Sequence, residues 1–474
     1  MRLRAPAADG ASLLLPPYAQ WSLALNDNRL RLAPLLADRE QARQEVWQRV
    51  RAYHASHGEP LPPELPPPVW IVSGHQPELF HPGVWLKNFV LCGFSRQQQS
   101  MGLNLVVDND TIKSTAVRLP EGQPVVFDRY HGEQPWEERL VEDEALFATF
   151  PQRVTQRLQS WQIEPLAQTF WSRLPATTNL GERFAVARRS LERDWGCHNA
   201  ELPLSWLCET RVFQQFAAAL IADAPRFAAI YNEVVRAYRA THKIKSRNHP
   251  VPDLAQEDQW TEVPLWTWNA GERQRQRVFV NAQGQFRYRG QKLRSRALLT
   301  TLFARLCLAD WFIHGIGGGI YDQLSDAILR RYWNLEPPAY GIVTGTRWLP
   351  LPRSGVTREE WRREWRRLRD LTYQPERFLD AEQKRQLAGL LAERQAVLQE
   401  PPSRSQFARQ RALLERLVAP LATQREKVRH HLQMLEDQLH REARWQRRDF
   451  SLVLFPESSL RPWLTAWLTN NGAS

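Results

Sequence analysis

Cysteine is scarce in this 474-residue chain: Cys92, Cys197, Cys208 and Cys307 stand far apart, with no C-x-x-C pair. That spacing excludes a disulfide framework, disfavours a structural zinc site and predicts buried free thiols. Lysine is scarcer still relative to its partner, supplying only seven of the 63 basic residues. Long apolar runs are missing too. No window holds eighteen uncharged apolar residues, so no membrane-spanning helix is expected. The basic start Met1-Arg2-Leu3-Arg4 is followed by Asp9 and Pro16-Pro17, which spoil any signal-peptide core, and a cytoplasmic protein is expected. There is no Walker A loop, no G-x-S-x-G elbow, no H-E-x-x-H and no complete G-x-G-x-x-G behind a strand.

What is present describes a globular protein of two or three domains. Hydrophobic residues make up 43% and charged residues 24%, with 20 Trp and 19 Phe to fill a core. The net charge of +12 invites a nucleic-acid partner. The arginines, however, concentrate in the C-terminal part, where Arg362-Arg363 and Arg366-Arg367 alternate with Glu and Trp. A solvated, salt-bridged helix face accounts for that pattern, so nucleic acid is not the expected partner.

Along the chain, residues 38 to 56 have the spacing of an amphipathic helix, which the proline-rich stretch 58 to 68 cannot continue. An apolar strand at 69 to 72 then meets "SGHQPELFHPGVWLKNF", and Pro82 and Gly93 suit the two ends of a helix. A second strand, 103 to 107, ends in "DNDTIKST". Strand, helix and strand within about 40 residues predict a right-handed parallel βαβ unit. Both polar clusters would then sit at carboxyl ends of adjacent strands, where open α/β sheets place ligands. Further on, a long helix is expected over 205 to 240, strands over 260 to 290 with a turn at Asn281 to Gly284, a Gly-rich loop at 315 to 319, and a last core strand over 339 to 345. From Thr357 the chain turns helical. Of ten positions in a four-three seam from 414 to 446, seven are Leu or Val, and Pro420 predicts a kink. The expected domains are an arm and helix over 1–65, a core over 66–355 with connecting segments at about 130–260, a helical coiled coil over 356–449, and a tail over 450–474 returning to the core.

Four constellations carry chemistry. In the SGHQP turn, Gly74 lets the backbone approach a ligand, Ser73, His75 and Gln76 offer polar groups, and Lys87 and Asn88 follow in the helix. This donor set suits a phosphoryl or carboxylate group, although a tight turn capping the helix would look the same. Nucleotidylyl transferases carry H-x-G-H or T-x-G-H at such a position, and Val72-Ser73-Gly74-His75 matches its second half. Asp108 and Asp110 flank Asn109 at a strand end, positioned for Mg²⁺, a ribose, or the proton of an attacking amine, or else for an Asx-turn. "HGIGGGIYDQL" brings His314, Gly317, Gly318, Tyr321 and Asp322 near a helix start. Finally Lys243, Lys245, Arg247, His249, Arg294 and Arg296 could clamp an anion or simply decorate a loop.

Taken together, "SGHQPELFHPGVWLKNF" resembles the T-G-Q-Q-x-G-L-F-x-G-P-x-Y-x-x-x-K signature of the bacillithiol biosynthesis cysteine-adding enzymes. "VVDNDTIK" is similar to that family's E-D-H-D strand end, "GIGGGIYDQL" to its G-G-P-x-E-x-x-Y segment, and "LFPESSLRPWL" to its closing L-F-P-x-x-x-L-Q-E-R. The four occur in the family's order, across most of residues 70 to 465. Gly74, Gln76 and Phe80 fall on the first motif, with His75 on its first glutamine and Lys87 answering its lysine from two residues earlier. Asp108 and Asp110 fall on the second, and Gly317 and Gly318 on the third, with Tyr321 answering its tyrosine from three residues earlier. Val107 and Asn109 replace an acid and a histidine, and Pro82-Gly83-Val84-Trp85 replaces G-P-x-Y.

The resemblance implies a Rossmann-like core related to nucleotidylyl transferases, a dimerising C-terminal coiled coil, and ATP-dependent joining of cysteine to a sugar-derived amine. The expected protein is thus an α/β ligase for a small-molecule substrate, a homodimer using ATP and Mg²⁺. In it, His75, Lys87, Asp108 and Asp110 would be catalytic, with Ser73, Gly74, Gln76, Asn88, His314, Gly317, Gly318, Tyr321, Asp322, Arg294 and Arg296 binding substrate or nucleotide. A non-catalytic metabolite-binding scaffold is the alternative, and a basic RNA-associated protein the third.

Overall fold

The computed structural model describes residues 3–246 and 248–469, so Arg247 lies outside the described residues. The chain forms two compact units: residues 1–350 with 448–474, and residues 351–447.

The first unit is built on a six-stranded sheet of β1 (Ser12–Leu15), β2 (Ile71–His75), β3 (Leu103–Val106), β4 (Ala200–Pro203), β5 (Trp311–His314) and β6 (Tyr340–Gly345). The spatial order is β1-β6-β5-β2-β3-β4. Five strands are parallel, and β1 closes one edge antiparallel to β6. From β2 the chain builds outward through β3 and β4, then returns to the other side of β2 for β5 and β6. The direction therefore reverses between β2 and β5. Such a switch point leaves a crevice at the carboxyl ends of those strands.

Side chains of successive strand residues face opposite layers. Trp70 and Val72 join Leu105, Leu202, Phe303 and Phe312 in the main apolar core. On the other side Trp311 meets Trp21 and Phe94 in an aromatic cluster with ring centroids 5.2 to 6.5 Å apart. The helix α1 (Leu36–Ser56) is anchored at the amino end of the sheet, where Arg39 and Arg43 reach Asp310 at 2.9 and 2.6 Å. Asp310 also accepts the Trp70 amide at 2.9 Å. The tail packs within this unit, with Phe450 and Leu452–Phe455 buried and Trp463 donating to the Gly10 carbonyl at 2.8 Å.

Several boundaries differ from expectation. Strand β2 runs through Ser73, Gly74 and His75, so half of the SGHQP turn is strand. The following helix α2 (Pro82–Gln97) passes straight through Gly93, which is no terminus. A Cβ there would lie 1.9 Å from the Trp467 carbonyl oxygen, so this glycine serves close packing of the tail. The helix expected over 205 to 240 is broken into Leu204–Leu207, Arg211–Ala222 and Ala224–Thr241. The Gly-rich segment is no loop either. It forms the first turn of the helix α3 (Ile316–Tyr332), with Gly315 as N-cap.

The second unit is helical. Pro420 lies in a short 3₁₀ turn separating Arg404–Val418 from Ala422–Trp445. In the four-three seam, Leu421, Val428 and Leu432 are buried against Leu371 and Leu379 of the same chain. The helix Arg358–Tyr373 thus occupies part of the stripe that the sequence offers to a partner.

Candidate functional site

The switch point opens into a cavity of about 1220 Å³. Its walls come from the ends of β2, β3, β5 and β6, the start of α2, the start of α3, and the antiparallel layer Trp260–Trp268, Gln276–Val280 and Lys292–Ser295. Three helices present their amino ends here: α2 through Gly83, α3 through Gly315 to Gly318, and Ala297–Phe303 through Ala297. The Gly83 amide of α2 is capped by His81 Nδ1 at 3.0 Å, while the dipoles of the three helices favour an anion.

Lys87 is the cation at this point. It is only 4% exposed, its ammonium donates to the Gly74 carbonyl at 2.6 Å, and it makes no ion pair among the described residues. Burial pulls its pKa from 10.5 to about 8. A lysine carried into the interior without a carboxylate is costly, and such costs concentrate at ligand sites.

His75 sits beside it but carries no charge. Its Nδ1 donates to the Gln76 carbonyl at 2.9 Å, leaving Nε2 to accept from Asn104 at 3.4 Å. Burial, followed by the Arg188 and Lys87 charges, holds its imidazole down to about 3. As a neutral imidazole His75 leaves the positive charge to Lys87 and to the cations that also border the cavity, among them Arg275, Arg296 and Arg448.

The two acids separate. Asp110 lines the cavity, receives Gln76 at 3.0 Å and pairs with Arg275 at 3.2 Å. Asp108 does not line it. It faces a smaller pocket of about 210 Å³ with Glu137 and Ser205, whose amide donates to it at 2.9 Å and whose hydroxyl also reaches it. Burial and the Glu137 charge push the Asp108 carboxyl up to about 7. The alternation that puts residues i and i+2 on one side holds only within a strand. Strand β3 ends at Val106, and residues 107 to 110 turn.

Among the other expected residues, Gly74, Gln76, His314, Gly317, Gly318 and Arg296 border the cavity. Ser73 does not: its hydroxyl bridges to the Ile313 carbonyl at 2.9 Å. Asn88 faces away, donating to Glu192 at 2.7 Å. Arg294 is held behind the wall by Glu137 and Glu209 at 2.9 and 2.6 Å. Tyr321 points to His249 at 3.4 Å, and Asp322 stands behind His314. From the basic loop, Asn248 and Pro250 to Pro252 border the cavity.

Sequence reasoning missed Arg275, His81 and Arg448. Arg275 lies 4.8 Å from the Trp266 ring, and Arg296 lies 4.0 Å from it. Arg448 donates to Thr344 at 2.7 Å at the far end of the chain. Only the alternation in "RQRVFV" hinted that Arg275 would be placed on a sheet. No group of three His, Cys, Asp or Glu among the described residues could hold a metal ion.

No helix among the described residues is long and apolar enough to cross a membrane. No protein-family model matches the chain, and none of the curated proteins matches its sequence.

Proposed function

We propose that this cavity binds a nucleotide and that the protein is an ATP-dependent ligase, joining an amino acid of cysteine type to the amine of a small sugar-derived acceptor. The observation that carries the proposal is Lys87: a buried ammonium without a carboxylate, at the switch point of a parallel sheet, beside helix amino ends. Strand order of this kind is shared with dinucleotide-binding and nucleotidylyl-transferase-like folds, which supports a Rossmann-like ancestry.

In this function the phosphates lie against the amides of the α3 amino end and the Lys87 ammonium, which neutralises charge as it develops. Gln76 and Arg275 hold Asp110. A Mg²⁺ would arrive on the phosphates with Asp110 as an acid bordering the cavity, since Mg²⁺ is commonly held by one or two carboxylates plus phosphate oxygens. Joining an amine to a carboxylate is uphill in water, so the carboxylate is first activated as an acyl adenylate or acyl phosphate. The cavity's volume accommodates two reactants, exceeding the roughly 300–1,000 Å³ of a single small-ligand pocket. Assembly as a cytoplasmic homodimer through the helical unit belongs to the same proposal.

The test is calorimetric titration with ATP and MgCl₂, and pyrophosphate exchange with L-cysteine as the carboxylate. Binding and exchange in the wild type, both lost in Lys87→Met, are expected. A Lys87→Met chain that binds ATP as the wild type does would defeat the assignment.

A further inference from the structure

We propose that His314, oriented by Asp322, is the catalytic base that takes the proton from the attacking amine. The inference deepens the ligase function proposed above and rests on it.

His314 closes β5, one residue before the N-cap of α3. Its Nε2 is 2.9 Å from Asp322 Oδ2, and the same carboxylate oxygen receives Arg305 at 2.6 Å. Burial pushes the Asp322 carboxyl up, but the Arg305 charge and the hydrogen bond from His314 outweigh this and leave it below its ordinary value. An ionised carboxylate only accepts, so Nε2 carries a hydrogen, and in the neutral ring the lone pair is on Nδ1. The hydrogen bond of the ring runs through Nε2 to Asp322, none is made by Nδ1 among the described residues, and the residue borders the cavity. A carboxylate behind the ring and a free nitrogen in front is the arrangement of an oriented base.

The surroundings keep the ring in place. An added Cβ on Gly318 would sit 2.8 Å from Nδ1, so glycine is required for the imidazole to lie against the helix start. A Cβ on Gly315, the adjacent residue, would lie 4.0 Å from the Lys87 stem. The base and the ammonium that would hold the phosphates border the same cavity. Tyr340 approaches the ring edge-on at 5.1 Å from the neighbouring strand. The two acids suggested by the sequence serve less well: Asp108 faces another pocket and Asp110 is paired with Arg275.

In the step itself the amine nitrogen bonds to the activated acyl carbon. The bond from that carbon to the phosphate oxygen breaks, its electron pair leaving on the phosphate. Before attack the ammonium gives one proton to Nδ1, which passes it to solvent while Asp322 stabilises the imidazolium; after attack the second nitrogen proton leaves with the phosphate.

The experiment uses the full chain with ATP, MgCl₂ and L-cysteine, and compares two nucleophiles. Glucosamine is largely an ammonium ion at neutral pH and must lose a proton; hydroxylamine is already neutral. In His314→Gln, amide formation with glucosamine should fall about 10²–10⁴-fold, the usual worth of a positioned base. Pyrophosphate exchange and hydroxamate formation should stay within about threefold. Exogenous imidazole should restore part of the glucosamine reaction in His314→Ala, and Asp322→Asn should show the same selective loss, more weakly. An unaffected glucosamine rate in His314→Gln, or equal loss of all three reactions in both His314→Gln and Asp322→Asn, would overturn the assignment. A wild-type chain with no exchange would instead remove the ligase function itself, and with it this step.

Discussion

Replacing Lys87 with methionine tests the electrostatics of the site before any activity is known. The change keeps the length of the side chain and removes its charge. Burial moves the ammonium from 10.5 to about 8. At about 1.4 kcal/mol per pKa unit, the folded state carries roughly 3 kcal/mol of desolvation at neutral pH. The methionine also forfeits the 2.6 Å bond to the Gly74 carbonyl, worth about 2 kcal/mol for a charged donor. The ligand-free variant should therefore be more stable by about 1 kcal/mol at pH 7, a rise of roughly 1–2 °C in a unit of this size. The sign reverses with pH. Between about 8 and 10.5 the unfolded chain keeps the Lys87 proton that the folded chain has released, so wild-type stability rises through that window. The methionine variant lacks this rise, and its advantage should vanish by pH 10. Differential scanning calorimetry at pH 7, 8.5 and 10 measures the difference. A variant at least 2 kcal/mol less stable at pH 7, or a difference that does not move with pH, would refute the account of Lys87 as an unpaired buried cation.

Asp108→Asn should leave ATP binding unchanged, because the side chain faces the smaller pocket. Its effect belongs to stability: with the folded carboxyl at about 7, the folded chain binds more protons than the unfolded one above pH 4, so wild-type stability declines from pH 4 to 7. Melting curves at pH 4.5 and 7.5 should show that slope reduced in the variant, and an unchanged slope would count against it. Gly93→Ala places a methyl 1.9 Å from the Trp467 carbonyl and should cost about 1–3 kcal/mol, read as a lowered melting temperature. A neutral Gly93→Ala would mean that the tail does not pack there.

The core of the first unit was legible because its strands are nearly unbroken apolar runs. Val72, Leu103 and Leu105 announce buried parallel strands, and the polar residues that interrupt them mark the carboxyl ends. Gly74, Gln76, Lys87, Asp110 and Gly318 reach one cavity for that reason. What escaped depends on contacts distant in sequence. Gly93 has the spacing of a helix end, but its partner is Trp467, 374 positions later. Asp108 and Asp110 look equivalent until the turn after Val106 sends one of them toward Ser205. The Gly-rich segment was misplaced by composition: glycine disfavours helix interiors, yet Gly318 and Gly319 are fixed by His314 and Ile342 packed against them. The seam from 414 to 446 has the right period, but period cannot say whether the covering helix comes from another chain or from Arg358–Tyr373.

The ion pairs beneath the crevice account for why Lys87 is left to a ligand. Glu201 on β4 takes both Arg188 and Arg189, Arg188 also reaches Glu192 at 2.8 Å, and Glu59 takes Arg189 at 2.7 Å. Burial alone would push the Glu201 carboxyl up; the two guanidinium groups more than reverse this and hold it at about 2. Asn104 then spans from Glu201, at 2.6 Å, to the imidazole of His75. The acids of the floor are thus consumed by arginines, and the His75 imidazole is kept neutral by burial and then by the Arg188 charge. The buried Lys87 ammonium makes no ion pair among the described residues, at the place where helix amino ends add positive potential. An anion completes that balance and a cation worsens it. A competition measurement makes the point directly: inorganic pyrophosphate should displace ATP from the wild-type chain and glucosamine alone should not, and displacement by the amine would break the chain of reasoning from Lys87 to phosphate.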